Sequence, residues 1–209
     1  MADVVVYGFP QSGFVRTACM ALEEKGVDYV REDIDMGSES HRALHPFAKM
    51  PILKHEDFVL YETSAITRYI DQVFDGPALQ PSDARACARM SQWISAHNHY
   101  YIATIARELL LPRLLYPSQG IEADEDKIAQ AMPDIEHQLS VADQTLSQSP
   151  YLAGDALSLA DLFVIPIFAY LEMTPEGDRL RDPYPAVERW REAMKARPSF
   201  AATAAPLPS

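Results

Sequence analysis

The chain has 209 residues and a mass of 23.4 kDa, enough for one large domain or two small ones with a real core. Eighteen Lys and Arg against thirty Asp and Glu leave a net charge of −12, shared evenly as −6 over residues 1–80 and −6 over residues 81–209. So acidic a chain repels phosphate backbones and anionic lipid, which argues against nucleic acid and the membrane surface as general partners.

Val4-Val5-Val6-Tyr7, closed by Gly8-Phe9-Pro10, reads as a short buried strand. Ser12-Gly13 leads into a helix over Phe14 to Lys25, with Val15, Ala18, Cys19, Ala21 and Leu22 at helical spacing and Gly26 as its stop. Tyr29 to Ile34 alternates as a second strand, and Ser38 to Leu44 is a short polar helix or an irregular segment. Ile52 to His55 and Phe58 to Leu60 form a hairpin about Glu56-Asp57. Ser64 to Val73 is the next helix, with Ile66, Tyr69, Ile70 and Val73 on one face. Beyond Asp75-Gly76-Pro77 the pattern is wholly helical: Ala84 to Tyr116, Glu122 to Ser147, Leu159 to Met173 and Pro185 to Ala196. Breaks are expected at Pro117-Ser118-Gln119-Gly120, Ser149-Pro150 and Thr174-Pro175-Glu176-Gly177. The Pro/Ala-rich tail from Ala201 to Ser209 reads as loosely held. The expected class is α+β in two domains: a βαβαββα domain over 1–76, a linker over 77–83, and an all-α helical bundle over 84–209.

No apolar run reaches the roughly 18 residues that a membrane span needs. The longest, Leu157 to Tyr170, is interrupted by Ser158, Asp161 and Pro166. The first residues lack the basic flank and apolar stretch of a secretory signal. Cys19 and Cys87 have no pairing or metal-ligand spacing, so they read as free thiols in a reducing, cytoplasmic compartment. The six histidines form no Cys/His cluster, and no metal is expected.

Three turns could carry chemistry. Ser12 precedes a helix, where unpaired N–H groups and the positive end of the dipole favour an anion; it is either a cap worth about 1 kcal/mol or a hydroxyl donor to such an anion. Pro51 opens a strand, a place that proline tolerates only at a first or edge position. A cis Met50-Pro51 bond would turn the Met50 backbone outward to pair with an extended peptide, whereas trans is the common state. Glu62-Thr63-Ser64 begins another helix, where Thr63 or Ser64 can cap it, or where free N–H groups can hold a carboxylate while Glu62 receives an ammonium.

A βαβ-αββα unit bearing these three turns is thioredoxin-like, and the turns resemble the glutathione site of the soluble glutathione transferases. The resemblance spans nearly the whole chain. It rests on Tyr7-Gly8-Phe9-Pro10-Gln11-Ser12 with Arg16; on Leu22-Glu23-Glu24-Lys25-Gly26; on His45-Pro46-Phe47-Ala48-Lys49-Met50-Pro51; and on Leu60-Tyr61-Glu62-Thr63-Ser64-Ala65-Ile66. In the helical part it rests on Tyr151-Leu152-Ala153-Gly154-Asp155 with Leu157-Ser158-Leu159-Ala160-Asp161. Ser158 and Asp161 in that stretch read as a buried capping box with a structural role. Glu62-Thr63 stands where the family usually has Glu-Ser, and His45-Pro46 where it has Asn-Pro.

The resemblance implies an enzyme that conjugates glutathione to small, mostly apolar electrophiles in detoxification, as a cytoplasmic homodimer. Ser12 matches the catalytic serine of phi- and theta-type members and would donate to the glutathione sulfur, with Tyr7 the alternative donor. Lowering a thiol pKa of about 8.5 by about 2 units means roughly 3 kcal/mol of thiolate stabilisation. Met50 beside Pro51 would pair with the cysteinyl backbone of glutathione. Glu62 and Thr63 would hold its γ-glutamyl ammonium and carboxylate, and Lys49 or His41 its glycyl carboxylate. The electrophile pocket of such proteins lies between the domains; its candidates here are Phe9, Phe14, Tyr100, Tyr101, Thr104, Arg107 and Glu108. Residues 97, 100, 101, 104 and 108 are expected to share one helix face, which reads as a wall of that pocket or as a mixed domain and dimer interface. Other glutathione chemistry (peroxide reduction, isomerisation, dehalogenation, ether cleavage) and a non-catalytic binding relative are the alternatives.

Overall fold

The computed structural model describes residues 3–206. Val4–Tyr7 forms strand β1, with Val4 and Val6 buried and Val5 and Tyr7 half-buried on the opposite face, as alternation requires. Helix α1 (Gly13–Lys25) follows and stops at Gly26, whose φ of +66° is the left-handed conformation a helix end commonly adopts. Then come β2 (Val30–Glu32), α2 (Glu39–Leu44), the β3 (Ile52–His55) and β4 (Phe58–Tyr61) hairpin, and α3 (Thr63–Val73). The strands form one sheet in the order β2-β1-β3-β4. β2 is parallel to β1 across the α1 crossover; β3 is antiparallel to both β1 and β4. This is the expected thioredoxin-like βαβαββα arrangement. Val6 and Leu53 on one face of the sheet, Ile52 on the other, Val15, Ala18 and Leu22 of α1 and Ile66 and Ile70 of α3 are all fully buried.

The chain divides into two units. The first runs to Gln80 and also takes Arg197–Ala205; the second is Pro81–Ala196. The linker expected over 77–83 starts later, because Asp71 of α3 holds the first residues of that stretch. Its carboxylate accepts from the Leu79 and Gln80 amides at 2.8 and 3.1 Å and pairs with the buried Lys25 ammonium at 3.2 Å. Nor does the helical unit run unbroken to residue 209 as expected. Instead, α9 (Pro198–Ala202) packs on α1 within the first unit. Arg197 donates to both Glu24 oxygens at 2.7 and 2.6 Å, and Arg16 donates to the Phe200 carbonyl at 3.0 Å with its guanidinium 3.9 Å from the Phe200 ring centre. The tail expected to be loose is therefore anchored as far as Thr203, which is buried. Residues 207–209 of that expectation lie outside the described residues.

The second unit is helical, as expected. α4 (Ala84–Ala96) is capped by Asp83, which accepts from the Arg85 and Ala86 amides. It continues over His97–Leu115 in a wider winding that ends with the Tyr116 amide on the Leu111 carbonyl, an i→i+5 bond. Residues four apart therefore align: His97, Tyr101, Ile105 and Leu109 are all buried. Of the expected face, Tyr100, Tyr101 and Thr104 do border one cleft, whereas His97 is buried and Glu108 lies beside another hollow. A 3₁₀ turn (Tyr116–Gln119) leads to α5 (Glu125–Leu146), α6 (Leu159–Leu171), α7 (Pro175–Arg181) and α8 (Pro185–Lys195). α7 occupies the expected break at Thr174-Pro175-Glu176-Gly177, because proline there serves as the first helical residue rather than as a breaker. Gly177 is required for this packing, since a Cβ on it would lie 2.1 Å from the Leu171 carbonyl oxygen.

α6 is buried almost all round, with Asp161 at its start. The expected capping box is present. Ser158 donates to Asp161 Oδ2 through both its amide and its hydroxyl, at 3.0 and 2.9 Å. The Leu152 amide and the Trp190 indole donate to Oδ1, each at 2.9 Å. Burial pushes the carboxyl pKa up while these four donors pull it down. One carboxylate so joins the loop before α6, the helix itself and α8. Among the described residues no helix is long and apolar enough to cross a membrane.

Candidate functional site

A single row of the sheet assembles the three turns. Ile52 pairs with Tyr7 on one side and with Tyr61 on the other. Because β3 is antiparallel to both neighbours, the chain leaving β1, the chain entering β3 and the chain leaving β4 all emerge at this end of the sheet. Ser12, Met50-Pro51 and Glu62-Thr63 lie just beyond the row.

Ser12 is the N-cap of α1, and its Oγ accepts from the Val15 amide at 3.4 Å. That bond uses a lone pair and leaves the hydroxyl hydrogen to donate elsewhere, so the cap and donor readings do not compete. Tyr7 is half-buried at the end of β1; burial and the neighbouring Glu32 charge hold its phenol above the ordinary pKa. Gly8, at φ +143°, makes room for the approach of the next turn. A Cβ there would lie 2.5 Å from Val15 and 3.1 Å from Met50. The Phe9 amide faces the Met50 sulfur at 3.4 Å.

The Met50-Pro51 bond is cis, the less common of the two states weighed from sequence. Lys49 beside it is exposed. His41 is not: it is completely buried, with Nδ1 facing the Gly37 amide at 3.0 Å and Nε2 facing the Lys49 carbonyl at 2.9 Å. Both nitrogens are engaged, which corrects the expectation that this imidazole contacts a ligand carboxylate. His45, one turn on, is also buried, meets the Tyr61 ring at a tilt with the ring centres 4.6 Å apart, and takes the Phe47 amide on Nδ1 at 3.3 Å. Burial holds its pKa below the ordinary value against the pull of Glu62.

Glu62 is exposed at the N-cap of α3 with φ +70°, a conformation that costs a non-glycine residue about 1–3 kcal/mol. Its carbonyl accepts from the Ala65 and Ile66 amides, and no side chain caps the helix. The expected cap by Thr63 or Ser64 is thus corrected: both lie inside the first turn, where their N–H groups belong to the set without an intrahelical acceptor. Thr63 is buried and Ser64 half-buried.

The electrophile candidates come from both units. Phe9 and Phe14 flank Ser12 in the first unit, and Phe9 is 39% exposed. In the second unit, Tyr100 and Thr104 line a cleft of about 490 Å³ with Trp93 and Gln138. Arg107 and Glu108 instead line a hollow of about 640 Å³ with Leu111 and Tyr116. The two hollows sit at different heights along this helix, one beside residues 100–104 and the other beside residues 107–112. Tyr101 borders the same cleft as Tyr100 and Thr104 but is nearly buried, its hydroxyl donates to the Gln138 carbonyl at 3.1 Å, and burial holds its phenol protonated. Both cysteines are free; Cys19 is buried, and burial pushes its thiol up to about 11, unsuited to nucleophilic work.

Comparison with known proteins shows the family of the chain. Residues 6–78 match the family described as "Glutathione S-transferase, N-terminal domain", and residues 97–198 match "Glutathione S-transferase, C-terminal domain". The chain is 32% identical over 215 residues to Glutathione S-transferase 3 of Zea mays, covering 100% of this chain and 96% of that protein. Among solved structures it is similar to a theta class glutathione S-transferase of Xanthomonas axonopodis pv. citri with glutathione bound, at a TM-score of 0.87 and 27% identity over the full length of both chains. It is also similar to glutathione S-transferase I from mais in complex with an atrazine glutathione conjugate, at a TM-score of 0.85 and 28% identity over 96% of this chain and 95% of that one.

Proposed function

The chain belongs to the glutathione S-transferase family, and on that premise we propose that it conjugates the thiolate of glutathione to small electrophiles, with Ser12 as thiolate stabiliser. The observation that carries the reading is the Tyr7–Ile52–Tyr61 row, which gathers a helix-capping hydroxyl, the Met50 peptide and the first turn of α3 at one end of the sheet.

Each group has one task. The Ser12 hydroxyl, at the positive end of α1, donates to the sulfur and favours the thiolate. Met50 pairs its backbone with the cysteinyl unit. The first-turn amides of α3 and the Thr63 hydroxyl take the γ-glutamyl carboxylate, and Glu62 takes the ammonium. Its unfavourable backbone is the kind of local cost that a binding site sustains. Lys49 takes the glycyl carboxylate. Glutathione is a net anion, so two helix N-termini and Lys49 supply local positive charge against a global −12.

The protein acts in the cytoplasm, in detoxification, as a homodimer with no metal. Phe47 is 66% exposed, and the cleft beside Tyr100, itself 63% exposed, combines Trp93, Tyr101 and Val141 with polar side chains. Exposed apolar surfaces of this kind suit a symmetric interface. A dimer would carry −24, so that interface must be largely apolar or locally paired.

Calorimetry with glutathione, followed by a panel of aryl halides, peroxides, isomerisable double bonds and aryl ethers, tests the reading. Binding with turnover of the halides supports it. Turnover of another class alone moves the protein to that glutathione chemistry, and absence of binding at millimolar glutathione leaves a non-catalytic relative.

A further inference from the structure

We infer that His41 is a positioning residue that aims the Met50 N–H at glutathione without touching it; this rests on the glutathione reading above. The imidazole is wholly buried in the first turn of α2. Gly37 offers an N–H to Nδ1, so Nδ1 is the acceptor. Nε2 therefore carries the hydrogen and donates it to the Lys49 carbonyl at 2.9 Å. This is the neutral Nε2–H tautomer, defined by its two partners.

Its effect is transmitted by peptide planarity. The Lys49–Met50 bond is trans, so the Lys49 C=O and the Met50 N–H point in opposite directions from one rigid plane. Holding the carbonyl against His41 sends the Met50 N–H away from α2. The loop needs such a tether, because Ala48 just before it sits at φ +48°, an unfavourable conformation for a residue with a Cβ. His45 secures the start of the same loop by accepting from the Phe47 amide. His41 secures its end, next to the group that meets the ligand.

Two substitutions separate this role from general support of α2. His41→Asn keeps a polar group near the Gly37 amide but is too short for Lys49. His41→Gln reaches Lys49 with an amide donor. We expect His41→Asn to raise the glutathione Kd and KM about fivefold to tenfold, the loss of about one hydrogen bond. The electrophile KM and kcat should stay within about twofold, and His41→Gln should recover most of the affinity. Glutathione binding unchanged in His41→Asn overturns the proposal, as does an equal loss in both variants that follows their melting temperatures. Should neither variant fold, imidazole and amide ¹⁵N spectra of the unaltered protein decide. An Nε2–H ring and a Met50 amide that shifts on adding glutathione support the role; any other tautomer or an unmoved amide overturns it. An unaltered protein that binds no glutathione overturns the functional reading and this inference with it, whereas binding that survives His41→Asn overturns only the inference.

Discussion

Tyr7 stands opposite Ile52 in the antiparallel pair of β1 and β3. This register decides which residues emerge beside Ser12. A slip of one residue would turn every side chain of β3 to the other face and carry Met50 out of reach. The site is therefore a property of strand pairing first and of side chains second.

Glu62 and Thr63 should govern glutathione affinity rather than chemistry. Thr63→Val removes the hydroxyl at nearly constant volume and is expected to raise the glutathione KM about tenfold with little change in kcat. Glu62→Gly relieves a positive φ, so it should leave stability level or raise it by about 1 kcal/mol while binding weakens. Steady-state kinetics and urea titration of both variants check this; binding and stability falling together in Glu62→Gly would contradict it.

Much of this architecture was legible in the chain. Gly8, Gly26 and the hairpin turn at Glu56-Asp57 punctuate apolar runs of strand and helix length, and the alternation of Val4 to Tyr7 is visible directly. Other features were not. Pro175 reads as a breaker unless its place at the first helical position is known. The buried line His97-Tyr101-Ile105-Leu109 follows a wider winding than the 3.6-residue period assumes. Ser12 and Met50 are 38 positions apart and Met50 and Thr63 are 13 apart, and the family resemblance rather than any local pattern joined them. His41 was legible as a polar candidate, but its burial between Gly37 and Lys49 depends on a loop path that no periodicity encodes.

Asp161 should matter to folding and not to turnover. Asp161→Asn turns an amide toward donors at a fully buried point where one carboxylate serves Ser158, Leu152 and Trp190. We expect a loss of about 3–5 kcal/mol, measured by denaturant unfolding. The glutathione KM of the protein that still folds should be unchanged; a loss below about 1 kcal/mol would refute the assigned role.

Glu24 makes the seating of α9 dependent on pH. Burial works against its ionised form, but Arg197 and Ser199 outweigh burial and hold the carboxyl below its ordinary range. A carboxyl whose folded pKa is depressed stabilises the protein above its unfolded pKa of about 4.3 and loses that contribution as the pH falls through the folded value. Glu24→Gln should therefore be less stable than the unaltered protein at pH 7, with the gap closing below about pH 4. Thermal unfolding at both pH values reads this, and a gap that widens in acid would contradict it.

Phe47→Ser should shift the proposed dimer toward monomer in sedimentation velocity, because it removes an exposed ring that an interface would bury. A sedimentation coefficient identical to that of the unaltered protein across a dilution series would argue against Phe47 as an interface residue.

The central claim is that Ser12 stabilises the glutathione thiolate, and the thiol pKa of bound glutathione tests it most directly. Thiolate absorbance would be titrated on the unaltered protein, Ser12→Ala and Tyr7→Phe. The account predicts a bound pKa about 2 units below the free value of about 8.5 in the unaltered protein and in Tyr7→Phe. In Ser12→Ala the pKa should return upward by more than about 1 unit, with kcat/KM falling about tenfold to a hundredfold, as loss of a hydrogen bond to a charged group implies. A bound thiol equally acidic in Ser12→Ala, or one that loses its acidity only in Tyr7→Phe, would contradict it.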